Sequence, residues 1–294
     1  VTIYIVIPFL VIPQILLSGV IVKFDKLNPV ISSSGNVPFI GNVMTSRWAF
    51  EALSENQFRN NLYEKNFFNQ DRQMSIATYK KGLWSSSMRE KIDKADNILA
   101  GQGNRDELKD IVALIKNEIE KELKRVPSVS FPGLDKLTEK NLDMAVLKSL
   151  RSYLEQLRQY YVSRYNSASQ SKDNVISRMT SQTGTANFNA LKKNNFNEAT
   201  DDLLRSKNSS EQILVTSDRI IQKFEPVFME TPENKFLSAP FFVCEKNFLG
   251  NACGTFSVNI IVIWAMTLIL YLTLLTDALR KFLSWEFFRK RKEE

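Results

Sequence analysis

The chain contains no histidine. That one absence removes imidazole acid–base catalysis, Ser-His-Asp triads and His metal ligands together. Other signatures are missing too. There is no G-x-x-x-x-G-K-[ST] phosphate loop, no G-x-S-x-G, no H-E-x-x-H and no C-x-x-C. The serines of "ISSSG" and "WSSSM" have no base beside them and read as turns or caps. Asp201 and Asp202 read as a helix surface, and "NSS" at Asn208 is a weak glycosylation pattern. No catalytic, cofactor-binding or metal-binding residue is assigned. Nucleic acid is not an expected partner either: the net charge is +7, but acidic and basic residues are mixed through the middle of the chain.

Two strongly apolar stretches, 1–22 and 256–276, carry no charge. Each is about 20 residues, the length of helix that crosses a bilayer core of roughly 30 Å. The second, "FSVNIIVIWAMTLILYLTLLT", has only Ser257, Asn259 and three Thr as polar residues, able to bond their own helix or a neighbour. The first holds Pro8, Pro13 and Gly19, tolerated in membranes where neighbours re-satisfy the backbone. Both are read as transmembrane helices. The start at Val1, straight into apolar sequence, reads as a cut within a longer protein. The tail 277–294 carries "RKRKEE", and Lys and Arg beside a span stay in the cytoplasm. The middle is then extracytoplasmic, an oxidising place where Cys244 and Cys253, with eight residues between them, are expected to form a disulfide; two thiols in a loop is the alternative.

What is present in the middle is helical periodicity. Leu108, Ile111, Val112, Ile115, Ile119 and Leu123 recur at three- and four-residue steps, with charged residues on the other face. "VPSVSFPG" ends that helix. A second follows on Leu142, Val146, Leu150, Leu154, Leu157 and Tyr161. Shorter helices are expected around Met88–Leu99, Leu191–Leu204 and Glu211–Phe224. "AGQGN" and "SQTGTAN" punctuate them. "SASQSKDN" is a hinge or a polar turn of a continuing helix, and "SAPFFV" a short extended stretch. Tyr153, Tyr160, Tyr161 and Tyr165 read as core packing with hydroxyls at the rim. The expected fold is an all-α membrane fragment: two transmembrane helices flanking a large extracytoplasmic helical domain.

Between the first apolar run and this domain lies "SRWAFEALSENQF". Arg47 and Glu51 form an i, i+4 pair, and Trp48, Phe50, Ala52 and Leu53 supply apolar surface. The residues alone leave two readings, an interfacial or re-entrant amphipathic helix and an ordinary helix of the soluble domain. The stretch resembles the Arg-aromatic-x-Phe-Glu-Ala-Leu-x-x-Asn-acidic/amide-Phe motif of the G-type ABC exporters, the White and pleiotropic-drug-resistance group. Here the motif is carried by Arg47, Trp48, Phe50, Glu51, Ala52, Leu53, Asn56 and Phe58.

The resemblance implies the C-terminal part of an ABC-2 type permease, most similar to bacterial members with ATPase and permease in one polypeptide. It implies a fifth helix over 1–22, an outer connection with a re-entrant or interfacial helix over 23–62, a sixth helix over 256–276 and a cytoplasmic tail over 277–294. The helical domain over 63–255 departs from the compact outer loop of the family. Cysteines before the last helix suit Cys244 and Cys253. Val20 and Ile21 follow Ser18-Gly19 where the family has a valve of bulky aliphatic residues, and Arg47 and Glu51 would brace the re-entrant helix. The implied activity is ATP-driven export of a lipophilic or amphipathic substrate, with ATP and Mg held by a domain outside this chain. Implied partners are membrane lipid, an ABC ATPase domain and a second permease copy forming a dimer, in the bacterial inner membrane. The rival reading is a two-span membrane sensor with an extracytoplasmic ligand-binding domain.

Overall fold

The computed structural model describes residues 2–19, 24, 37–206, 212–230, 240–278 and 281. In chain order the helices are α1 (Thr2–Leu16), α2 (Phe39–Val43), α3 (Thr45–Asn60), α4 (Phe68–Tyr79), α5 (Ser85–Leu99), α6 (Asp106–Arg125), α7 (Met144–Thr183), α8 (Thr185–Asn195) and α9 (Glu198–Arg205). Two short antiparallel hairpins follow, β1 (Ile213–Val215) with β2 (Ile220–Gln222) and β3 (Glu245–Phe248) with β4 (Asn251–Gly254), and then α10 (Thr255–Leu275). The chain divides into two units, residues 1–56 with 231–294, and residues 57–230.

In the first unit α10 is 21 residues long, about 32 Å at 1.5 Å per residue. It is long and apolar enough to cross a membrane, and only 11% of its apolar window is buried inside the protein. A core helix of that length would be mostly covered, whereas here Trp264, Leu268, Ile269 and Leu274 all lie on the surface. The N-terminal run corrects the expectation of two flanking spans. Its helix stops at Leu16 after 15 residues, about 22 Å, and carries Pro8 and Pro13 inside it. Beyond it Gly19 takes φ +81°, a left-handed conformation, and a Cβ there would lie 2.7 Å from the Phe24 ring and 2.8 Å from that of Phe241. An uncharged stretch of 22 residues therefore yields a shorter apolar helix, and α10 is the one span-length apolar helix among the described residues. Val20 and Ile21, the expected valve, lie outside the described residues.

The second unit is a helical bundle. Met88, Ile92 and Ala95 of α5 pack with Ile111, Ile115 and Ile119 of α6 and with Leu147, Leu150, Leu154 and Leu157 of α7 in one core. Ile111, Ile115, Ile119, Leu150, Leu154 and Leu157 are among the residues that recur at helical spacing, so α6 and the first half of α7 stand where periodicity puts them. Asp143 caps α7, its carboxylate accepting from the Val146 N–H at 2.7 Å. The helix then runs unbroken through "SASQSKDN" for 40 residues, until Gly184 at φ +81° ends it. Tyr153 and Tyr161 are buried and Tyr160 and Tyr165 half-buried, as core packing requires.

Two local expectations need correction, and one element was not expected at all. Residues 213–222 form the β1–β2 hairpin, with Leu214 opposite Ile221, where a helix over Glu211–Phe224 was expected. Of "SAPFFV", the described residues 240–243 turn at Phe241 and Phe242, the latter at φ +68°. Between α4 and α5, Lys80–Trp84 form a single π-helical turn, which no spacing rule announces.

Leu150 is fully buried at the centre of this core. Leu150→Ala is expected to cost about 2–5 kcal/mol, read as a lowered unfolding midpoint of the helical signal in the full chain.

Candidate functional site

The Arg47–Phe58 motif folds into α3, and its first two turns bury charge. Arg47, Trp48, Glu51 and Ala52 are each 2% exposed or less. Glu51 accepts hydrogen bonds from Lys246 Nζ of β3, from Asn259 Nδ2 of α10 at 2.8 Å and from the Phe242 N–H at 3.2 Å. Asn259 uses its other polar atoms equally fully, receiving Lys246 Nζ at 2.9 Å on Oδ1 and donating to the Trp48 carbonyl at 3.1 Å. The Arg47 guanidinium stands 3.5 Å from the Glu51 carboxylate and 4.0 Å from the Trp48 ring centroid. Lys246 Nζ lies 4.7 Å from the same ring, so two cations flank one indole beside one carboxylate.

Burial alone would push the Glu51 carboxyl up, but Arg47 and Lys246 outweigh it and hold the group below its ordinary range. Burial pulls Lys246 down to about 8, with Glu51 opposing and Arg47 adding to the fall. The cluster therefore keeps its ion pair at neutral pH. With its carboxylate saturated by donors, the arrangement is a clamp and not a proton-transfer centre.

The clamp also sets the course of α3. Trp48 and Glu51 meet α10 at Asn259, and Thr45 Oγ1 lies 3.9 Å from Met266 Sδ. Lower numbers on one helix meet higher numbers on the other, so the two run antiparallel. Ser46 also donates to the Gln14 carbonyl of α1 at 2.6 Å. Trp48 Nε1 donates to the Asn42 carbonyl at 2.8 Å, fixing the turn between α2 and α3.

The remaining motif residues are divided. Phe50 is half-buried and packs edge-on against Phe242, with centroids 5.8 Å apart. Asn56 is half-buried, and Leu53 is 66% exposed. Phe58 belongs to the second unit, where it meets Phe68 and Phe228 at 6.4 and 5.9 Å. Sequence reasoning missed Lys246 as a partner for Glu51; the only signals were a lone lysine between the cysteines and a lone Asn near the head of an apolar helix.

The expected Cys244–Cys253 disulfide is not formed. Lys246 pairs across the hairpin with Cys253, and the Thr255 N–H bonds the Cys244 carbonyl. The cysteines are thus diagonal neighbours, a spacing of about 7–8 Å between Cα atoms, longer than a disulfide spans.

The second unit carries its own buried charge, which corrects the view of α6 as apolar on one face and solvated on the other. Glu118 and Glu122 of α6 are 3% and 0% exposed. Glu122 holds Lys80 Nζ at 2.6 Å and the Tyr161 hydroxyl at 2.6 Å, while Glu118 accepts from Trp84 Nε1 at 2.7 Å. Two of these donors, Lys80 and Trp84, come from the ends of the π turn. Asp201, expected on the surface, is buried 3.7 Å from Arg205, and Asn208 lies outside the described residues. Glu64 is held differently. Burial first and the Asp71 carboxylate second raise it to about 7, against the pull of Lys172. Among the described residues no group of three or more Cys, Asp or Glu is arranged to hold a metal.

Two predictions follow from these charges. Glu51→Gln and Lys246→Met are each expected to destabilise the protein by about 3–5 kcal/mol, because each leaves a buried partner uncompensated. The double variant should lose less than the sum, in a double-mutant cycle on detergent-solubilised protein. For Glu64, the folded state holds its proton up to about pH 7 while the unfolded chain releases it near 4.5. Between those values the folded state binds more protons, so its contribution to stability falls as pH rises. Unfolding midpoints measured from pH 5 to 7.5 should decline less steeply in Glu64→Gln than in the wild type. Comparison of the chain with known protein families, curated proteins and solved structures finds no match.

Proposed function

We propose that this chain is the C-terminal membrane part of the permease of a G-type ABC exporter. The observation that carries this reading is the seating of the motif helix: α3 lies antiparallel to α10, clamped by Glu51 to Asn259 and reaching Met266. Met266 is eleven residues into α10, about 16 Å below its first turn, roughly half a bilayer core. With α10 across the membrane, α3 is a re-entrant helix whose N-terminal end and the preceding α2 dip into hydrocarbon. The exposure of Phe39, Ile40 and Val43 on α2 supports this, since lipid chains would cover them.

In this reading the basic tail is cytoplasmic and residues 23–255 lie on the outer side of a bacterial inner membrane, apart from the re-entrant α2 and the start of α3. ATP and Mg are bound by an ATPase domain beyond this chain, which has no phosphate loop of its own. Two permease copies line the pathway, and nucleotide binding biases the dimer between two states for a lipophilic or amphipathic substrate. The residues of this chain contribute rigidity: the Glu51 clamp makes α3, the β3–β4 hairpin and the head of α10 one body, so a shift of α10 carries the re-entrant helix with it.

Two measurements test the reading. With Cys244 and Cys253 replaced by Ser, Gln102→Cys should react with a membrane-impermeant maleimide in intact cells, and Lys292→Cys only after permeabilisation. Protein purified from its native membranes should bring vanadate-sensitive ATPase activity with it. Reversed labelling would overturn the topology, and absence of the ATPase would overturn the exporter assignment.

A further inference from the structure

One side of α10, away from its contacts with α3, is not used by anything described so far. Ser257, Ile260, Trp264, Thr267, Tyr271 and Leu274 follow there in steps of three, four, three, four and three, which makes them one stripe along the helix. All six are exposed, and four of them carry hydrogen-bonding groups. The face beside the stripe, Ile261, Ala265, Leu268 and Leu272, is also exposed but wholly aliphatic. Lipid tails suit that aliphatic face. They do not suit the stripe.

Depth makes Trp264 the deciding residue. It lies nine residues after Thr255, about 14 Å along the axis, near the middle of a bilayer core of roughly 30 Å. Trp264 is 71% exposed and has no hydrogen-bond acceptor among the described residues. Its indole N–H only donates, and hydrocarbon supplies neither an acceptor nor water. Lipid-facing Trp gathers at the membrane surface for that reason, so an acceptor at this depth has to come from protein. The stripe itself carries one. The Thr267 O–H is spent on the Ile263 carbonyl of its own helix at 2.9 Å, which leaves the hydroxyl lone pairs free to accept. Donor and acceptor three residues apart make the stripe self-complementary, as a two-fold interface requires: what one copy donates, the other receives, and the reverse. Copies inserted with one orientation hold their α10 helices parallel, and alternating steps of three and four are the spacing of a parallel left-handed pair.

We infer that α10 pairs with α10 of a second copy of this chain along the stripe from Ser257 to Leu274, each Trp264 N–H donating to the Thr267 hydroxyl of the other copy. The inference rests on the preceding reading only in that α10 crosses the membrane.

The test is oxidative cross-linking in native membranes, with Cys244 and Cys253 replaced by Ser. Ile260→Cys and Leu274→Cys should each give a covalent dimer. Ile261→Cys and Leu272→Cys, at matched depths on the aliphatic face, should not. In lipid vesicles, energy transfer between labelled copies should show Trp264→Leu dimerising about 5- to 30-fold more weakly than the wild type, the loss of two hydrogen bonds per dimer. Thr267→Val should weaken the pair by a similar factor and the double variant no further, since both substitutions remove the same bonds. The helical signal checks that each variant folds. Cross-links from both faces alike, none from the stripe, or unchanged dimerisation in both folded variants would overturn the pairing, whether lipid or a different helix covers the stripe instead. Labelling of Lys292→Cys reports separately whether α10 crosses the membrane, so failure of the span and failure of the pairing are told apart.

Discussion

The buried carboxylate of Glu51 is the constraint on which the first unit depends. A charge at 0% exposure is tolerated only when partners replace the water it has lost, and here they come from three other places in the chain: Lys246, Asn259 and the Phe242 backbone. Meeting them requires α3 to lie along α10 and the β3–β4 hairpin to fold back over both. The positions of helix, hairpin and span-length helix are therefore consequences of one desolvated group.

A comparable economy operates in the second unit. Glu122 binds Lys80, Arg125 and the Tyr161 hydroxyl, joining three elements at a point where an apolar core alone would leave helices free to slide. The π turn between α4 and α5 supplies two of the donors, Lys80 to Glu122 and Trp84 to Glu118. Lys80 and Trp84 stand four residues apart, a spacing that puts both on one face, toward Glu122 and Glu118 of α6. Placing the irregular turn beside the most buried charges links a small backbone cost to the satisfaction of two carboxylates.

Much of the helical architecture was legible because its signal is local. Ile111, Ile115 and Ile119 mark the buried face of α6 by spacing alone, and Leu147 to Tyr161 do so for α7. The β1–β2 hairpin was not legible. Its three-residue strands are too short to show alternation, and Ile220 is held by remote groups, the Glu118 carboxylate and the Tyr79 hydroxyl. The motif at Arg47–Phe58 could be recognised as a helix with one charged pair, but its charges look the same whether they face water or protein. Nor does an uncharged run announce where its helix stops: α1 ends before a Gly19 packed against Phe24 and Phe241, contacts that composition does not contain.

By itself the sequence determined that α10 is a continuous apolar helix of membrane-crossing length and that the middle of the chain is a helical bundle, since both follow from side-chain chemistry within a few turns. Tertiary structure alone decided which charges are buried. Glu51 and Lys246 are 195 residues apart, and Glu122 and Tyr161 are 39 apart. The stability of a buried charge is set by the partners that surround it, and those partners exist only once distant segments have been brought together.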